Sequence, residues 1–460
     1  MTLIKSISGI RGTIGGRPGE ALTPPDIVKF SAAFGTWLIR RGRYAETTVI
    51  AGRDARTTGS IVSSLVISTL RSLGIGVTDL GLATTPTVEV AVSGEKASGG
   101  VIVTASHNPA NWNALKLLNE DGEFLSASDG NEVLEIAASD NYTFVSHDKT
   151  GYMKTDDSWT LRHIESVLKL KEVDAEAIRK AGFTVVVDCI NSVGSVAVPP
   201  LLEKLGVKKT LLLNNVPDGN FAHNPEPLPE HLSVISGLVK NGKADLGVVI
   251  DPDVDRLAII CEDGSMFGEE YTLVAVSDYI LSYRPGNTVS NMSSTRALKD
   301  VTERRGGEYY TSAVGEVNVV EEMKTRNAVI GGEGNGGVIY PALHYGRDAL
   351  VGIALFLSHL ARSGKSCSEL RKTYPSYFIA KKKIILQEGT DTEKLLSGVK
   401  EQFRNERIDD RDGIRIDFDN GWVQIRKSNT EPVIRIYAEG RDEAEAEALA
   451  AIITKFVNKK

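Results

Sequence analysis

The sequence predicts an α/β protein with three mixed α/β domains and a smaller C-terminal α+β domain. Apolar segments of strand length alternate with amphipathic helical segments over most of the 460 residues, a pattern typical of layered α/β folds. Near the C-terminus, closely spaced strands replace this alternation, which indicates a different architecture there. The length favours several domains, and we predict that they comprise residues 1–150, 151–255, 256–370 and 371–460.

The first domain begins with a helix whose two ends are marked in the sequence. Thr23 can cap it, Pro24 suits its first turn, and Gly42 can end it in the left-handed conformation. Between these ends, apolar residues recur at helical spacing, at Ile27, Phe30, Phe34, Trp37 and Leu38. The same reasoning predicts further elements of this domain, with strands at 49–51, 76–80 and 101–103 and a helix at 60–73.

Apolar runs and helical periods continue through the second and third domains. In the second domain they predict strands at 183–188, 210–213 and 245–250 and a helix at 195–205. In the third domain they predict strands at 257–260 and 327–330 and helices at 270–282, 295–305 and 348–362. Asp263 and Gly264 are predicted to form a turn after the strand at 257–260.

The last domain is predicted from short strands that follow one another closely. Strands are expected at 414–418, 422–426 and 433–437, with Asn420 and Gly421 as a hairpin turn. A helix rich in alanine and glutamate, at 442–457, ends the chain.

Composition excludes several classes of partner. A net charge of −7 argues against nucleic acid, which usually requires a basic face, although local arginine clusters still permit anionic substrates. Cys189, Cys261 and Cys367 form neither a CxxC motif nor a disulfide pattern, which fits a reducing cytosol. Neither a signal peptide nor an apolar run of about 20 residues is present, so we predict a cytoplasmic protein without a membrane partner.

A serine loop follows the predicted strand at 101–103. Pro109 disfavours helical angles in Asn108 and so predicts a turn, which places Ser106 at the edge of a sheet where open α/β folds bind ligands. A serine hydroxyl is a weak nucleophile alone, and the G-x-S-x-G frame is absent, although His107 is a candidate base. A phosphoserine bound to Mg²⁺ is the favoured interpretation, and a polar turn is the alternative.

Three aspartates alternate directly after the predicted strand at 245–250. In an extended segment, Asp251, Asp253 and Asp255 share a face, and their carboxylates together require a cation. Mg²⁺ is the natural choice because it prefers oxygen ligands. A solvated acidic turn is the alternative. A calcium loop ending at Glu262 is rejected, because arginine occupies the position where that loop requires glycine.

Two further loops carry polar groups suited to a sugar phosphate. In the glycine-rich segment 331–337, Glu333 and Asn335 could hold vicinal sugar hydroxyls, with a mobile turn as the alternative. Near the C-terminus, guanidinium, hydroxyl and backbone donors suit a phosphate monoester, with a charged strand end as the alternative. The residues concerned are Arg426, Ser428, Asn429, Thr430 and Arg435.

These four segments resemble, in the same order, the signature loops of the α-D-phosphohexomutase family. The resemblance extends from Gly9-Ile10-Arg11-Gly12 to about Gly440 and includes Lys116 in the segment 113–116. It implies four domains around a central cleft, one loop from each. It also implies an isomerase that interconverts hexose 1-phosphate and 6-phosphate through a phosphoserine enzyme, with a hexose 1,6-bisphosphate as intermediate and activator.

The resemblance also implies a role for each candidate residue. Ser106 would be the phosphorylated serine, and the three aspartates would bind Mg²⁺ together with it. Arg11 and Arg256 would lie near the transferring phosphate, and Lys116 would act in acid–base chemistry. The loop at 331–337 would bind the sugar through Glu333 and Asn335. The non-transferring phosphate would be held by Arg426, Ser428, Asn429, Thr430 and Arg435, in a domain that closes over the substrate.

Some positions depart from the family pattern. Asn335 replaces the serine of the common Gly-Glu-x-Ser-Gly loop, and Gly337 stands where some members have a histidine, for which His344 and Arg347 are candidate substitutes. Gly315-Glu316 stands where some members have Gly-His. Glucosamine phosphate is the favoured substrate, with glucose and mannose phosphates as the alternative. A serine-dependent metal phosphatase and a non-catalytic sugar-phosphate-binding protein are remoter alternatives.

Overall fold

A computed structural model of the protein describes residues 2–6, 9–385, 391–427 and 433–457. The chain forms two compact units. Unit 1 comprises residues 1–272 and 336–370, and unit 2 comprises residues 273–335 and 371–460.

Unit 1 opens with a mixed sheet and four helices. In chain order its elements are β1 Leu3–Ser6, β2 Gly9–Thr13, α1 Pro24–Arg41, β3 Thr48–Arg53, α2 Gly59–Ser72, β4 Gly76–Leu82, α3 Thr85–Glu95, β5 Gly99–Val103, β6 Trp112–Leu118, α4 Ala127–Ala138 and β7 Met153–Thr155. The seven strands lie in the order β1-β2-β6-β5-β3-β4-β7, and β3 runs parallel to β4 and β5. Both faces of this sheet are covered by buried apolar residues, as in other layered α/β folds.

A second sheet follows in unit 1. Its segment contains α5 Trp159–Leu168, α6 Ala175–Ala181, β8 Thr184–Asp188, α7 Gly194–Leu205, β9 Lys209–Leu213, α8 Ser233–Gly242, β10 Leu246–Ile250 and β11 Leu257–Cys261. The strand order is β11-β10-β8-β9. β8 lies parallel to β9 and β10, whereas β11 returns antiparallel to β10. The segment that joins β10 to β11 carries the three aspartates.

The next stretch of chain contributes elements to both units. It contains α9 Glu269–Tyr283, β12 Thr288–Asn291, α10 Ala297–Arg304, β13 Tyr309–Ser312, α11 Glu316–Thr325, β14 Ile330–Glu333, β15 Gly337–Ile339, α12 Ala349–Ser363 and α13 Cys367–Arg371. Within unit 2, β12 lies between β13 and β14 and runs parallel to both. Within unit 1, α12 is almost entirely buried and is capped by Asp348.

The C-terminal part of unit 2 is an antiparallel sheet with helices. Its elements are β16 Phe378–Ile385, α14 Thr392–Gln402, β17 Arg407–Asp409, β18 Ile414–Phe418, β19 Gly421–Lys427, β20 Val433–Gly440 and α15 Glu443–Val457. The strand order is β16-β20-β19-β18-β17, with antiparallel pairing throughout. The predicted fold class, three mixed α/β domains and a smaller C-terminal α+β domain, is confirmed.

Strong local signals predicted their elements well. Thr23 caps α1 in a capping box with Asp26, and Gly42 ends it with φ of 56°. The hairpin turn between β18 and β19 differs from the prediction by one residue, because Asp419 and Asn420 form it and Gly421 already pairs with Phe418. Gly421 is needed for another reason, since an added Cβ would lie 2.0 Å from the carbonyl oxygen of Glu439.

Other elements escaped prediction because their sequence signals are weak. α3 is rich in threonine and valine, residues that favour strands, and it is buried on several sides rather than amphipathic.

Among the described residues, no helix is both long enough and apolar enough to cross a membrane. All three cysteines are free thiols and buried.

Candidate active site

Ser106 lies on the loop between β5 and β6, in the left-handed conformation with φ of 48°. It is only 7% exposed, and its Oγ donates a hydrogen bond to Oδ2 of Asp251 at 2.7 Å. Nδ1 of His107 lies 3.3 Å from the same Oγ, and the Ser106 amide donates to Oγ1 of Thr104 at 2.9 Å. A non-glycine residue in this conformation must be held by its surroundings. The structure therefore brings the predicted serine onto the predicted acidic loop.

Arg56 donates hydrogen bonds to the backbone of the loop that carries Ser106. This guanidinium is 1% exposed. Its Nη2 donates to the carbonyl oxygens of Ser106 and Asn108, both at 2.6 Å. Its Nη1 donates to the carbonyl oxygens of Pro109 and Trp112, at 2.6 and 3.0 Å. Buried carbonyls need donors, and the five fixed N–H groups of arginine can satisfy several at once.

Asp54 balances the buried charge of Arg56. Its Oδ2 accepts from Nε of Arg56 at 3.1 Å and from Oγ1 of Thr104 at 2.6 Å. Burial raises the pKa of Asp54 above its ordinary value, although Arg56 opposes the rise. This pair was not predicted from the sequence. Asp54 and Arg56 come just after β3, and Ser106 comes after β5, which is the parallel neighbour of β3. Because adjacent parallel strands end at the same edge of a sheet, this position in the sequence could have indicated the pair.

We predict that Arg56→Ala lowers the free energy of unfolding by about 3–5 kcal/mol, because it leaves Asp54 and four carbonyls without their donor. Urea unfolding measures the change. Arg17→Ala is the matched control, since Arg17 is exposed, and its effect should stay within about 0.5 kcal/mol. Equal effects of the two substitutions would contradict the role given to Arg56.

Asp251, Asp253 and Asp255 are fully buried after β10. One carboxylate oxygen from each lies within 4.8 Å of the others, an arrangement that could hold a metal ion. Within the described part of the chain, Oδ1 of Asp253 and Oδ1 of Asp255 are buried without a hydrogen-bond partner. Burial and the two neighbouring carboxylates raise the pKa of Asp251 well above its ordinary value. Orphaned oxygens and mutual repulsion both indicate a place for a cation.

Two cationic side chains partly neutralise this triad. Nζ of Lys116, on β6, lies 2.7 Å from Oδ2 of Asp253 and 3.2 Å from Oδ2 of Asp255. Nη2 of Arg347 lies 2.7 Å from the same Asp255 oxygen. Burial alone would lower the pKa of Lys116, but the carboxylates outweigh it and raise that pKa. Arg347 is therefore placed as an ion-pair partner of the triad.

The first turn of α3 supports the same loop. Oγ1 of Thr85 donates to Oδ2 of Asp253 at 2.6 Å, and the Thr85 amide donates to the Asp253 carbonyl at 2.9 Å. An amide at a helix N-terminus favours a neighbouring negative group. Thr85 was not predicted as a site residue, because the sequence signals for α3 are weak.

Arginines also lie near Ser106 and its neighbour His107. The guanidinium of Arg256 and burial together hold the pKa of His107 well below its ordinary value, so this imidazole is neutral at pH 7. Burial and the nearby Arg256 lower the pKa of Arg11, which lies on β2. Nε of Arg256 is 3.8 Å from Oδ1 of Asp255. The structure thus gathers all the catalytic and metal-binding candidates within unit 1.

Unit 2 contains the sugar-loop and phosphate-loop candidates. Oε1 of Glu333, at the end of β14, accepts from Nδ2 of Asn291 at 2.8 Å and from the Gly315 amide at 3.2 Å. Arg426 on β19 lies opposite Arg435 on β20 in the strand register. Asn335 is the second residue after the end of β14. The remaining candidates, Ser428, Asn429 and Thr430, lie outside the described residues.

Comparisons with known proteins agree with this fold. The family models for the α/β/α domains I, II and III of phosphoglucomutase/phosphomannomutase match residues 3–143, 162–264 and 268–377, and the C-terminal domain model matches residues 383–456. A phosphoglucomutase/phosphomannomutase from Thermococcus kodakarensis is 37% identical over 441 residues, 95% of each chain. A probable phosphoglucosamine mutase from Methanopyrus kandleri is 33% identical over 446 residues, 96% of this chain and 95% of that one.

A solved structure shows the same fold. It is that of a phosphoglucomutase/phosphomannomutase family protein from Burkholderia thailandensis, which has a TM-score of 0.85 at 24% identity and covers 99% of this chain and 97% of that one. The predicted α-D-phosphohexomutase family is confirmed by the four domain models and by the sequence relatives. The chain belongs to the phosphoglucomutase/phosphomannomutase family of phosphohexose mutases, which are isomerases that transfer a phosphoryl group within a sugar phosphate.

Proposed function

We propose that this phosphohexose mutase carries its transferable phosphate on Ser106 and prefers glucosamine phosphate. The observation that carries the proposal is the 2.7 Å hydrogen bond from Ser106 Oγ to Asp251, which joins the serine to a buried acidic triad. A mutase of this type needs a nucleophile whose phosphorylated form is electrostatically stabilised.

The acidic triad suits Mg²⁺ by its chemistry. All its donor groups are carboxylates, and Oδ1 of Asp253 and Oδ1 of Asp255 are the atoms left over for a ligand. Asp251, Asp253, Asp255 and a phosphate on Ser106 would hold the ion. When bound, Mg²⁺ would offset the negative charge of the phosphate and polarise it for transfer.

In the forward step, phosphoserine 106 donates its phosphoryl group to the free hydroxyl of the sugar phosphate. The bond between phosphorus and Ser106 Oγ breaks, and a bond between phosphorus and the sugar oxygen forms. The proton of the sugar hydroxyl passes to solvent, and Ser106 Oγ receives one from Lys116, so the step neither gains nor loses a proton. A hexose 1,6-bisphosphate results, which turns around and returns its other phosphate to Ser106.

Two neighbouring groups suit the proton transfers at Ser106. Lys116 is a cation in this arrangement and can donate a proton to the departing serine oxygen. The neutral amine of Lys116 accepts that proton again when phosphate returns, because the return is the reverse of the same step, and Lys116 is then recharged. His107, whose Nδ1 lies 3.3 Å from Oγ, is the alternative group for this pair of transfers. Arg11 and Arg256 supply positive charge for the transferring phosphate.

The binding roles of unit 2 follow from chemistry and family resemblance. Glu333 and Asn335 would hold the sugar hydroxyls, and Arg426 and Arg435 would hold the phosphate that is not reacting. Ser428, Asn429 and Thr430 would add hydroxyl, amide and backbone donors to that phosphate site. Closure of the C-terminal domain over the substrate would exclude water and so protect phosphoserine from hydrolysis.

We predict that kcat/KM for glucosamine 1-phosphate exceeds that for glucose 1-phosphate and mannose 1-phosphate by about one to two decades. The reason is a carboxylate acceptor, Glu333, that can face the 2-ammonium group, a contact of about 1–3 kcal/mol. The three constants are measured under one set of conditions. A slower reaction with glucosamine 1-phosphate than with both neutral sugars would favour the phosphoglucomutase/phosphomannomutase alternative.

The same assay separates the remoter alternatives by product. A mutase yields the isomerised sugar phosphate, a serine-dependent phosphatase yields free phosphate, and a binding protein yields neither. Accumulation of free phosphate in step with substrate loss would contradict the proposed function.

A further inference from the structure

Unit 1 contains a second buried polar cluster that the proposed catalytic steps do not use. Its members are His163 on α5, His344 on the loop before α12, and Asp348, the N-cap of α12. The side chains of His163 and Asp348 are fully buried, and that of His344 is 8% exposed. His163 belongs to domain II of the family fold, and His344 and Asp348 belong to domain III. Helix α3, which contacts both histidines, belongs to domain I.

The possible metal-ligand atoms of the three side chains lie close together. Nε2 of His163 lies 2.9 Å from Oδ2 of Asp348, and Nε2 of His344 lies 3.3 Å from the same oxygen. One ligand atom from each residue lies within 4.8 Å of the others. Around a tetrahedral zinc ion with bonds of about 2.0 Å, ligand atoms stand about 3.3 Å apart. The spacing therefore suits two nitrogens and one oxygen of a four-coordinate ion.

The other atoms of these side chains are held as in known metal sites. Oδ1 of Asp348 accepts from the amides of Leu350 and Val351, at 2.8 and 3.3 Å, which leaves Oδ2 for the centre of the cluster. Both histidines have their second ring nitrogen, Nδ1, against a side-chain oxygen on α3. For His344 this oxygen is Oε2 of Glu89 at 3.4 Å, and for His163 it is Oγ1 of Thr87 at 3.1 Å. Metal-binding histidines usually have such partners, which fix the ring and its tautomer.

Charge balance favours the same interpretation. Two carboxylates, Asp348 and Glu89, are buried together, and a divalent cation would balance their charge.

We propose that His163, His344 and Asp348 form a second metal site, selective for Zn²⁺ or a similar transition-metal ion. Imidazole ligands favour such ions, whereas Mg²⁺ prefers oxygen ligands. The site would fasten α3, α5 and the start of α12 together. It adjoins the acidic triad on two sides, because Arg347 precedes Asp348 and pairs with Asp255, and because α3 begins with Thr85, which binds Asp253.

Co²⁺ is the probe that tests the proposal without substrate. Full-length protein is treated with chelator, supplied with excess Mg²⁺ to occupy oxygen-only sites, and titrated with Co²⁺. We expect a single Co²⁺ per chain with the strong visible bands of a four-coordinate nitrogen–oxygen site, and loss of those bands when Zn²⁺ displaces it. Absence of the bands would overturn the proposal.

Variants assign the ion to this cluster. We expect His163→Gln and His344→Gln to abolish the bands, and Glu89→Gln to weaken Co²⁺ affinity about 10–100-fold. His147→Gln, at an exposed histidine, and Asp253→Asn, in the acidic triad, should keep them. Bands that survive in both ligand variants, or that vanish in Asp253→Asn, would overturn the assignment.

Thermal unfolding gives a second readout in case a variant folds poorly. Zn²⁺ should raise the Tm of the wild-type protein and of His147→Gln, because an ion that binds only the folded state stabilises it. The Tm of His344→Gln should not respond, and this variant is the more tolerant one because its side chain reaches solvent. An equal rise in all three proteins would contradict the proposal.

Discussion

We expect Ser106→Ala to lower the turnover of hexose phosphates by at least about 10³-fold while the fold stays intact. The reason is that the substitution removes the only atom proposed to carry the phosphoryl group, so no bisphosphate can form or return its phosphate. The measurement is kcat/KM with glucosamine 1-phosphate, together with the mass of the peptide that contains Ser106. In the wild-type protein that peptide should carry a phosphate group.

Two controls separate chemistry from folding in this experiment. The lost hydroxyl donates a hydrogen bond to Asp251 at 2.7 Å and has a longer contact of 3.3 Å with Nδ1 of His107, so the free energy of unfolding should change by no more than about 1.5 kcal/mol. Ser64→Ala, at an exposed position on α2, should leave kcat/KM unchanged. Normal turnover by Ser106→Ala, or a phosphate found on another residue, would refute the proposed mechanism.

Asp253→Asn should lower kcat/KM by at least about 100-fold at low Mg²⁺ and should recover part of the loss when Mg²⁺ is raised. A neutral amide is a weaker ligand for a hard cation, and it leaves the phosphate less well neutralised. Asp253 also accepts from Lys116 and Thr85, so its replacement weakens their positioning as well. Initial rates over a series of Mg²⁺ concentrations measure the effect.

Asp157→Asn is the control for this substitution, because Asp157 is exposed and its variant should keep the Mg²⁺ dependence of the wild-type enzyme. Chelation of the wild-type protein by excess EDTA should likewise stop turnover, and added Mg²⁺ should restore it. Full activity in excess EDTA would count against a catalytic metal at the acidic triad.

Local patterns carried most of the fold prediction. α1 was predictable because its cap, first-turn proline and terminal glycine are all local signals, and β10 because it is a continuous apolar run. α3 was not, because its β-branched residues favour a strand in isolation and only packing on several sides makes it helical. Because α3 was not predicted, Thr85 was not recognised as a neighbour of the acidic triad, nor Thr87 and Glu89 as neighbours of the two histidines.

By itself, the sequence determined which residues form the two loops at the centre of the site, because the Asn108-Pro109 turn and the closely spaced aspartates are local patterns. The extended conformation expected for Asp251, Asp253 and Asp255 is wrong, since the Val254 amide donates to the Asp251 carbonyl oxygen at 3.1 Å and Val254 is left-handed with φ of 62°. The three carboxylates therefore converge through a turn and not through strand alternation. Only the tertiary structure decided which distant side chains complete these loops. Arg56 lies 50 residues from Ser106, and Thr85 lies 168 residues from Asp253. Such pairs are selected by strand order and helix packing, and a single sequence contains no record of which distant buried donors and acceptors will meet.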